Sequence, residues 1–280
     1  MKIIFSRKGF DSSAGGFPSL IFPDGSLFSV PIPSTKDGFF YADLKFSYEG
    51  DSIQSILNDL TGEKIKNRSW NQCDYSLNLQ RCHYDPMPLV DRAAIAFGQT
   101  GSSETHLRKN GVDSGDVFLF FGWFKQVEKI AGAWKFKYAA LDIHLIWAWM
   151  RIGELIELDS IESRKKALKQ FPYLSSHPHF AEWRKAPNRV YLSHGAGILP
   201  YMQHSTLTDC SNYQGRSSWA LPRCFNQPQA WTYLRRFTNS GDRVLIRAPG
   251  RGQEFVLDID RASSSQEKEA IISWLNNITE

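Results

Sequence analysis

The sequence predicts a mixed α+β fold with a β-rich core and peripheral helices. Three observations carry this. Two apolar runs, Val117–Phe124 and His144–Ile156, are long enough for strands buried on both faces, and Trp134–Tyr138 alternates apolar and polar residues. Two segments, Ser52–Leu60 and the stretch after Ser264 or Ser265, repeat apolar residues at helical spacing. With 280 residues, 42% of them hydrophobic, the chain can bury an ample core, and no linker, internal repeat or low-complexity tract divides it. A single composite domain over 1–280 is expected. Residues 1–110 carry the candidate site loops, 111–200 a β-rich core like a small barrel, and 201–280 an irregular segment, a strand and a C-terminal helix.

Taken in order, Ile3-Ile4-Phe5 is a first strand opening into the glycine-rich loop Ser6–Gly16. Pro18–Phe22, the turn Pro23-Asp24-Gly25 and Leu27–Val30 read as a hairpin, stopped by Pro31-Ile32-Pro33, because proline cannot continue a ladder. Leu44, Phe46 and Tyr48 alternate as in a strand. Ser52–Leu60 reads as a helix with Ile53, Ile56, Leu57 and Leu60 on one face, closing near Gly62. Gly122 and Gly153 mark bulges or bends in the two long runs. Ser160 or Ser163 starts a helix that ends before Pro172, and Arg189–Ser193 is a strand followed by a loop through Gly195 and Gly197. Ser205–Pro228 is irregular with Trp219–Pro222 as anchor, and Gln253–Asp260 is a late strand. The final helix buries Ile271, Ile272, Leu275 and Ile278.

The formal net charge of +4 is too small to identify a nucleic-acid binder but suits an anionic substrate. The short apolar start is not a signal peptide, and no run approaches the roughly 20 residues of a membrane span, so a cytoplasmic location with reduced thiols is expected and no membrane partner. Cys73, Cys82 and His83 could contribute to a zinc site, but no CxxC pair supports one. The metal requirement and any cofactor stay open. No Walker pattern, GxSxG elbow or HExxH is present.

Reactive side chains concentrate in three loops. In the first, Arg7, Lys8 and the amides of Gly15 and Gly16 could hold an anion beside Ser12 and Ser13, and Asp11 could serve as base, nucleophile or metal ligand; the alternative is a polar turn. In Cys82-His83-Tyr84-Asp85-Pro86, His83 and Asp85 share a side if extended, so a carboxylate orients an acid/base imidazole; the alternative is a capped turn. The third, Phe97–Leu107, interleaves Gly98, Gln99, hydroxyls, Glu104 and His106, with Ser103 able to cap a short helix, or is a plain connection. His177-Pro178-His179 could bind a metal through two imidazoles, although a loop docked near the core is the preferred reading. Arg164-Lys165-Lys166 reads as a solvated helix face.

These segments together resemble the nucleotide modification associated domain 3 (Nmad3) family. The resemblance rests on Ser6–Ser13 with Gly15-Gly16, on Pro31-Ile32-Pro33, His83-Tyr84-Asp85-Pro86, Gly98-Gln99 with His106-Leu107, and on Gly115–Phe124. Ile143–Trp147, His177–Phe180 and Trp219–Pro222 fit as well. It implies a bacterial or phage protein that modifies or processes nucleotides or nucleic acid. Where the family carries an acidic residue after His-x-Asp-Pro this chain has Met87, which speaks against paired carboxylates there. The middle is also similar to PUA, ASCH and EVE domains, small barrels that hold nucleobases in an aromatic cleft. The leading expectation is an enzyme, a hydrolase or transferase acting at a glycosidic or phosphoester bond, with Asp11, His83, Asp85, Gln99 and His106 in one pocket. The rival is a non-catalytic reader of a modified base, using Trp123 or Trp219 as platform, in a DNA-modification or phage-defence system. An assembly partner in a modification operon is the third.

Overall fold

The computed structural model describes residues 1–62, 65–67, 70–73, 81–89, 94–249 and 254–279. The first part of the chain places β1 (Lys2–Arg7), β2 (Ser19–Ile21), β3 (Leu27–Phe28), β4 (Pro33–Ser34), β5 (Phe39–Phe40), β6 (Ser47–Tyr48) and β7 (Asp51–Ser52) before the helix α1 (Ile53–Thr61). After it come β8 (Ile65–Asn67), β9 (Trp70–Cys73), β10 (Arg81–Cys82), β11 (Met87–Leu89), β12 (Ala94–Thr100) and α2 (Gly101–Lys109). The middle is β13 (Val117–Ile130), β14 (Ala133–Phe136), β15 (Ile143–Glu157), α3 (Ile161–Gln170) and β16 (Asn188–Ile198), and the last part β17 (Ser218–Pro222), β18 (Arg235–Ser240), β19 (Arg243–Arg247), β20 (Phe255–Asp258) and α4 (Ser265–Thr279).

The main sheet runs β11-β12-β16-β15-β13-β1-β20, parallel only between β1 and β13 along this path, and curls into a half-barrel. Curling explains the unbroken apolar runs. Ile3, Phe5, Val117, Leu119 and Phe121 face a core closed by β17, β19 and α4, while Ile4, Phe118 and Phe120 face the concave side with Phe97, Ala148, Met150 and Tyr191. Both faces are therefore buried in β1 from Ile3 to Ser6 and in β13 from Val117 to Gly122, whereas β15 from Trp147 on alternates buried and half-buried residues and is dry on one face only. The expected bulges occur: the β13–β15 register shifts between Phe120 and Phe121, and the β15–β16 register shifts around Ile152 to Glu154, beside Gly153.

Local signals hold at the helices. Ser52 accepts the Ser55 amide at 3.2 Å, and Gly62 ends α1 at φ 57°, a left-handed value that glycine adopts without strain. Ser160 and Ser163 cap α3 reciprocally. Four expectations change. Arg164, expected on a solvated helix face, is buried, with its guanidinium donating to the Leu158, Ala181 and Glu182 carbonyls. β16 continues through Gly195 and Gly197 because its backbone pairs with Trp149 and Arg151 of β15. Leu44 and Phe46 lie outside strands and serve as packing for the α1 cluster. α2 begins at Gly101, after Thr100, so Ser103 lies inside it and is not its cap. No helix among the described residues is long and apolar enough to cross a membrane.

β12 sets the site. Its odd residues, Ile95 and Phe97, face the concave core. Ala96 faces the opposite side, where α3 and the turn Pro178–Phe180 pack with Val190 and Leu192.

Candidate functional site

The peptide from Cys82 to Pro86 is held on both sides. β10 pairs with β4 and β5, the His83 amide donates to the Ile32 carbonyl at 2.8 Å, and the Gly98 amide donates to Asp85 Oδ1 at 2.9 Å. Residues i and i+2 of an extended segment share a side, and His83 Nε2 lies 3.5 Å from Asp85 Oδ2. Across from them Pro178 opens a single 3-10 turn, where a fixed φ and a missing N–H are no handicap. The turn aims His179 at the same carboxylate, with Nε2 3.6 Å from Oδ2. The ring stands there because residue 98 is glycine: a Cβ would lie 2.2 Å from His179 Cδ2.

The hydrogen bonds assign the tautomers. Asn188 Nδ2 donates to the His179 carbonyl at 2.8 Å, so its Oδ1 is the acceptor 2.8 Å from His179 Nδ1; Nδ1 carries the proton and Nε2 is bare. His83 Nδ1 lies 2.9 Å from Asp37 Oδ2. Arg184 Nη2 is also 3.0 Å from that nitrogen, but the guanidinium has Asp37 Oδ1 as acceptor at 3.4 Å, whereas a bare Nδ1 would oppose a carboxylate oxygen with no proton between them. His83 thus donates to Asp37 through Nδ1, and its Nε2 faces Asp85 Oδ2, as a ligand atom when the ring is neutral and as a donor when it is protonated. His177 is set the other way: its Nδ1 accepts the His179 amide at 3.2 Å, so Nε2–H points at the Ala96 carbonyl, 3.3 Å away, and at Asp85 Oδ1, 3.5 Å away.

Asp85 Oδ1 therefore has its donors, and Oδ2 faces the Nε2 atoms of His83 and His179. The three ligand atoms of His83, Asp85 and His179 lie within 4.8 Å of one another. With both rings neutral, these three atoms direct electron pairs at one point and could hold a cation there. Two imidazole nitrogens and one carboxylate oxygen are a donor set for zinc or ferrous-type ions that leaves positions open, and the Asp37 and Asn188 contacts are the outer hydrogen bonds such ligands use. Burial opposes a charge on Asp85, but hydrogen bonds from His177 and His83 and the neighbouring imidazoles hold its pKa well below the usual carboxylate range. Burial pushes His179 well below the usual histidine value, keeping it neutral. At His83 burial acts the same way, but hydrogen bonds to Asp37 and Asp85 outweigh it and raise the pKa, so a metal ion would compete there with a proton. The His83 side chain is 17% exposed against 2% for Asp85 and for His179, so solvent reaches the cluster from the His83 side. Lys36, Trp183 and Arg184 lie there, with Arg184 stacked 4.2 Å over the Trp183 ring.

A second cluster lies on the other face of β12. The buried Glu254 receives Lys8 Nζ at 3.4 Å and hydrogen-bonds Gln99 Nε2; Lys8 also stands 4.4 Å over the Phe97 ring. His106, whose pKa is lowered by burial against the pull of Glu254, bonds Thr232 at 3.2 Å and packs its ring 4.5 Å from that of Tyr233.

The model of the nucleotide modification associated domain 3 family matches residues 2–258. The chain belongs to the Nmad3 family. That membership associates it with nucleotide modification. No curated protein and no solved structure matches it.

The Nmad3 chain thus divides the residues expected in one pocket. His83 and Asp85 meet on one face of β12, and Gln99 and His106 gather around Glu254, with Lys8, on the other. Asp11 closes its own loop: Oδ1 accepts the Ser13 amide, the Ser13 hydroxyl and the Ala14 amide, each at 2.7 Å. Gly15, at φ 85°, is pressed on Phe10, where a Cβ would lie 2.2 Å from Cγ, and Gly16 donates to the Asp11 carbonyl at 2.9 Å. Ser12 bonds Arg216, whose guanidinium covers the Trp123 ring at 4.1 Å, while Trp123 Nε1 donates to Asp142 at 2.6 Å. Arg7 donates to the Pro249 carbonyl at 3.0 Å. Trp219 is fully buried and donates to His144 Nδ1 at 3.0 Å, so it has no free face for a base. Burial raises the Cys82 thiol to about 12, and the side chain of Cys73 lies outside the described residues. The sequence offered His179 as a metal ligand paired with His177 but favoured a docking loop, and it did not single out Asp37, Asn188 or Glu254. The available signal was Gly98, a glycine inside a strand, which often marks close approach by another group.

Proposed function

We propose that this Nmad3 protein is a metal-dependent enzyme of nucleotide or nucleic-acid modification, in which His83, Asp85 and His179 hold one divalent ion. The observation that carries the reading is the convergence of two imidazole Nε2 atoms, at 3.5 and 3.6 Å, on a single carboxylate oxygen whose partner oxygen is already bonded. A divalent ion at such a site lowers the pKa of a bound water from 15.7 toward about 7. This supports hydrolysis or transfer at a glycosidic or phosphoester bond. Arg184 stands at the open side as a cation able to offset negative charge on a phosphate. The opening loop fits anion binding through Arg7 and Arg216 better than base catalysis, since the Asp11 carboxylate already accepts three hydrogen bonds.

The test is metal content and product analysis together. Wild-type protein reconstituted with zinc, ferrous or manganous ion should retain one ion per chain after desalting, and His179→Ala and Asp85→Asn should retain none. Mass spectrometry of nucleotide pools and DNA digests should show a product that disappears with either variant. A wild-type chain that retains no ion, or variants that give the same products, would overturn the reading.

A further inference from the structure

The segment 223–247 holds five arginines, Arg223, Arg235, Arg236, Arg243 and Arg247, and one carboxylate, Asp242. All five arginines are exposed, and none forms an ion pair among the described residues. The small sheet β17-β19-β18 arranges them. Val244 and Ile246 point into the core, which leaves Arg243, Leu245 and Arg247 on the outer face of β19. Arg235 pairs directly across from Arg247, on the same face, and a bulge after Arg235 returns Phe237 to the core side. Like charges placed directly opposite on a sheet repel. The Arg247 side chain donates to the Gln214 carbonyl and that of Arg243 to the Ala220 carbonyl, whereas the side chains of Arg235 and Arg236 make no hydrogen bond or ion pair among the described residues.

The backbone here is strained as well. Tyr233 and Arg236 have φ of 61° and 62°, the left-handed region that costs a non-glycine residue roughly 1–2 kcal/mol. Leu234 between them is buried and anchors the segment, so Tyr233, 48% exposed, is turned outward against the His106 ring. Unpaired cations held together and an aromatic ring held outward by a strained backbone are the two components of a surface for single-stranded nucleic acid: guanidinium forks for phosphates and a ring for an unpaired base.

We propose that the ridge Tyr233–Arg236 with Arg247 binds a single strand of nucleic acid, so that the substrate is a polymer and not a free nucleotide. Contacts run from this ridge toward the metal cluster: Tyr233 packs on His106, His106 lies in the field of Glu254, Glu254 bonds Gln99, and the neighbouring Gly98 amide bonds Asp85. The inference rests on the proposed function for what happens to the strand, not for its capture.

The probe is a fluorescein-labelled 20-nucleotide DNA single strand, titrated by anisotropy in 50 and 200 mM salt. Three phosphate contacts, each contributing a slope of about 0.7, make the wild-type affinity fall about 18-fold over that range; Arg235→Ala/Arg236→Ala, with one contact left, should lose only about 2.6-fold and bind more weakly throughout. Arg236→Gly should raise the melting midpoint while weakening binding, a combination that a merely structural arginine would not give. Lys165→Ala/Lys166→Ala on α3 should bind as wild type does. Equal affinity and salt slope in the double arginine variant, or no binding by wild-type protein that holds its ion, would overturn the ridge and leave the metal reading standing. Strand binding by a chain that holds no ion would overturn the metal reading and leave the ridge.

Discussion

Substituting Gly98 by alanine tests the metal centre through a single methyl group. Gly98 sits in β12 with ordinary strand backbone, so alanine introduces no backbone strain of its own. The new Cβ would lie 2.2 Å from His179 Cδ2 and 2.3 Å from Cγ, and ordinary contact begins at 3.4 Å, so the ring must retreat by about 1.2 Å. Metal–ligand distances are tolerated within about 0.2 Å. The ring cannot retreat freely, because Nδ1 is tied to Asn188 and the side chain is 2% exposed. Gly98→Ala should therefore remove His179 from the ligand set and weaken metal binding by about 100-fold, the upper end of what loss of a supporting contact costs, or about 2.8 kcal/mol. Overpacking should cost a further 1–3 kcal/mol of stability, roughly. Competition against a chromogenic chelator measures the first and denaturant unfolding of the metal-free protein the second. Gly38→Ala, beside Asp37 but with nothing within 4 Å of its Cβ, is the control and should bind metal normally. A folded Gly98→Ala protein with wild-type metal affinity would refute the reasoning, because His179 would then not be a ligand.

Other outcomes follow from the same contacts. Asp37→Asn and Asn188→Leu should each weaken metal binding about 10- to 100-fold while leaving the three ligands in place, read by the same competition. His144 is buried, and burial, reinforced by Arg7 and Arg216, depresses its pKa well below 6.5. The unfolded chain takes up a proton there that the folded chain refuses, so stability should fall as pH drops below about 6.5, by up to about 1.4 kcal/mol per pH unit. Denaturant unfolding at pH 7.5 and 5.5 should show a smaller difference in His144→Gln than in wild type; identical differences would exclude His144 as the source. Cys82, buried with its thiol raised to about 12, should resist a thiol reagent at pH 8 until the chain unfolds, whereas the exposed Cys210 should be labelled in the native protein; mass spectrometry of the digest distinguishes them.

By itself the sequence determined what depends on neighbours along the chain. Val117–Phe121 and Ile3–Phe5 are apolar at every position because both faces of their strands are buried, and that demand is written locally. The caps Ser52, Gly62 and Ser160 act within one turn, so helix ends were legible too. His83 and Asp85 share a side because they are two apart in extended backbone, and the family was legible in motifs spread along the chain. Tertiary structure decided which loops meet. Alternation gives β12 two faces but does not say what lies against each: His179 reaches Asp85 across more than ninety residues because Gly98 leaves room for its ring, and Gln99, one residue on, faces Glu254 on the other side. Asp37 and Asn188 are unremarkable as sequence. Their roles exist only because folding sets each carboxylate or amide oxygen within 3 Å of an imidazole Nδ1.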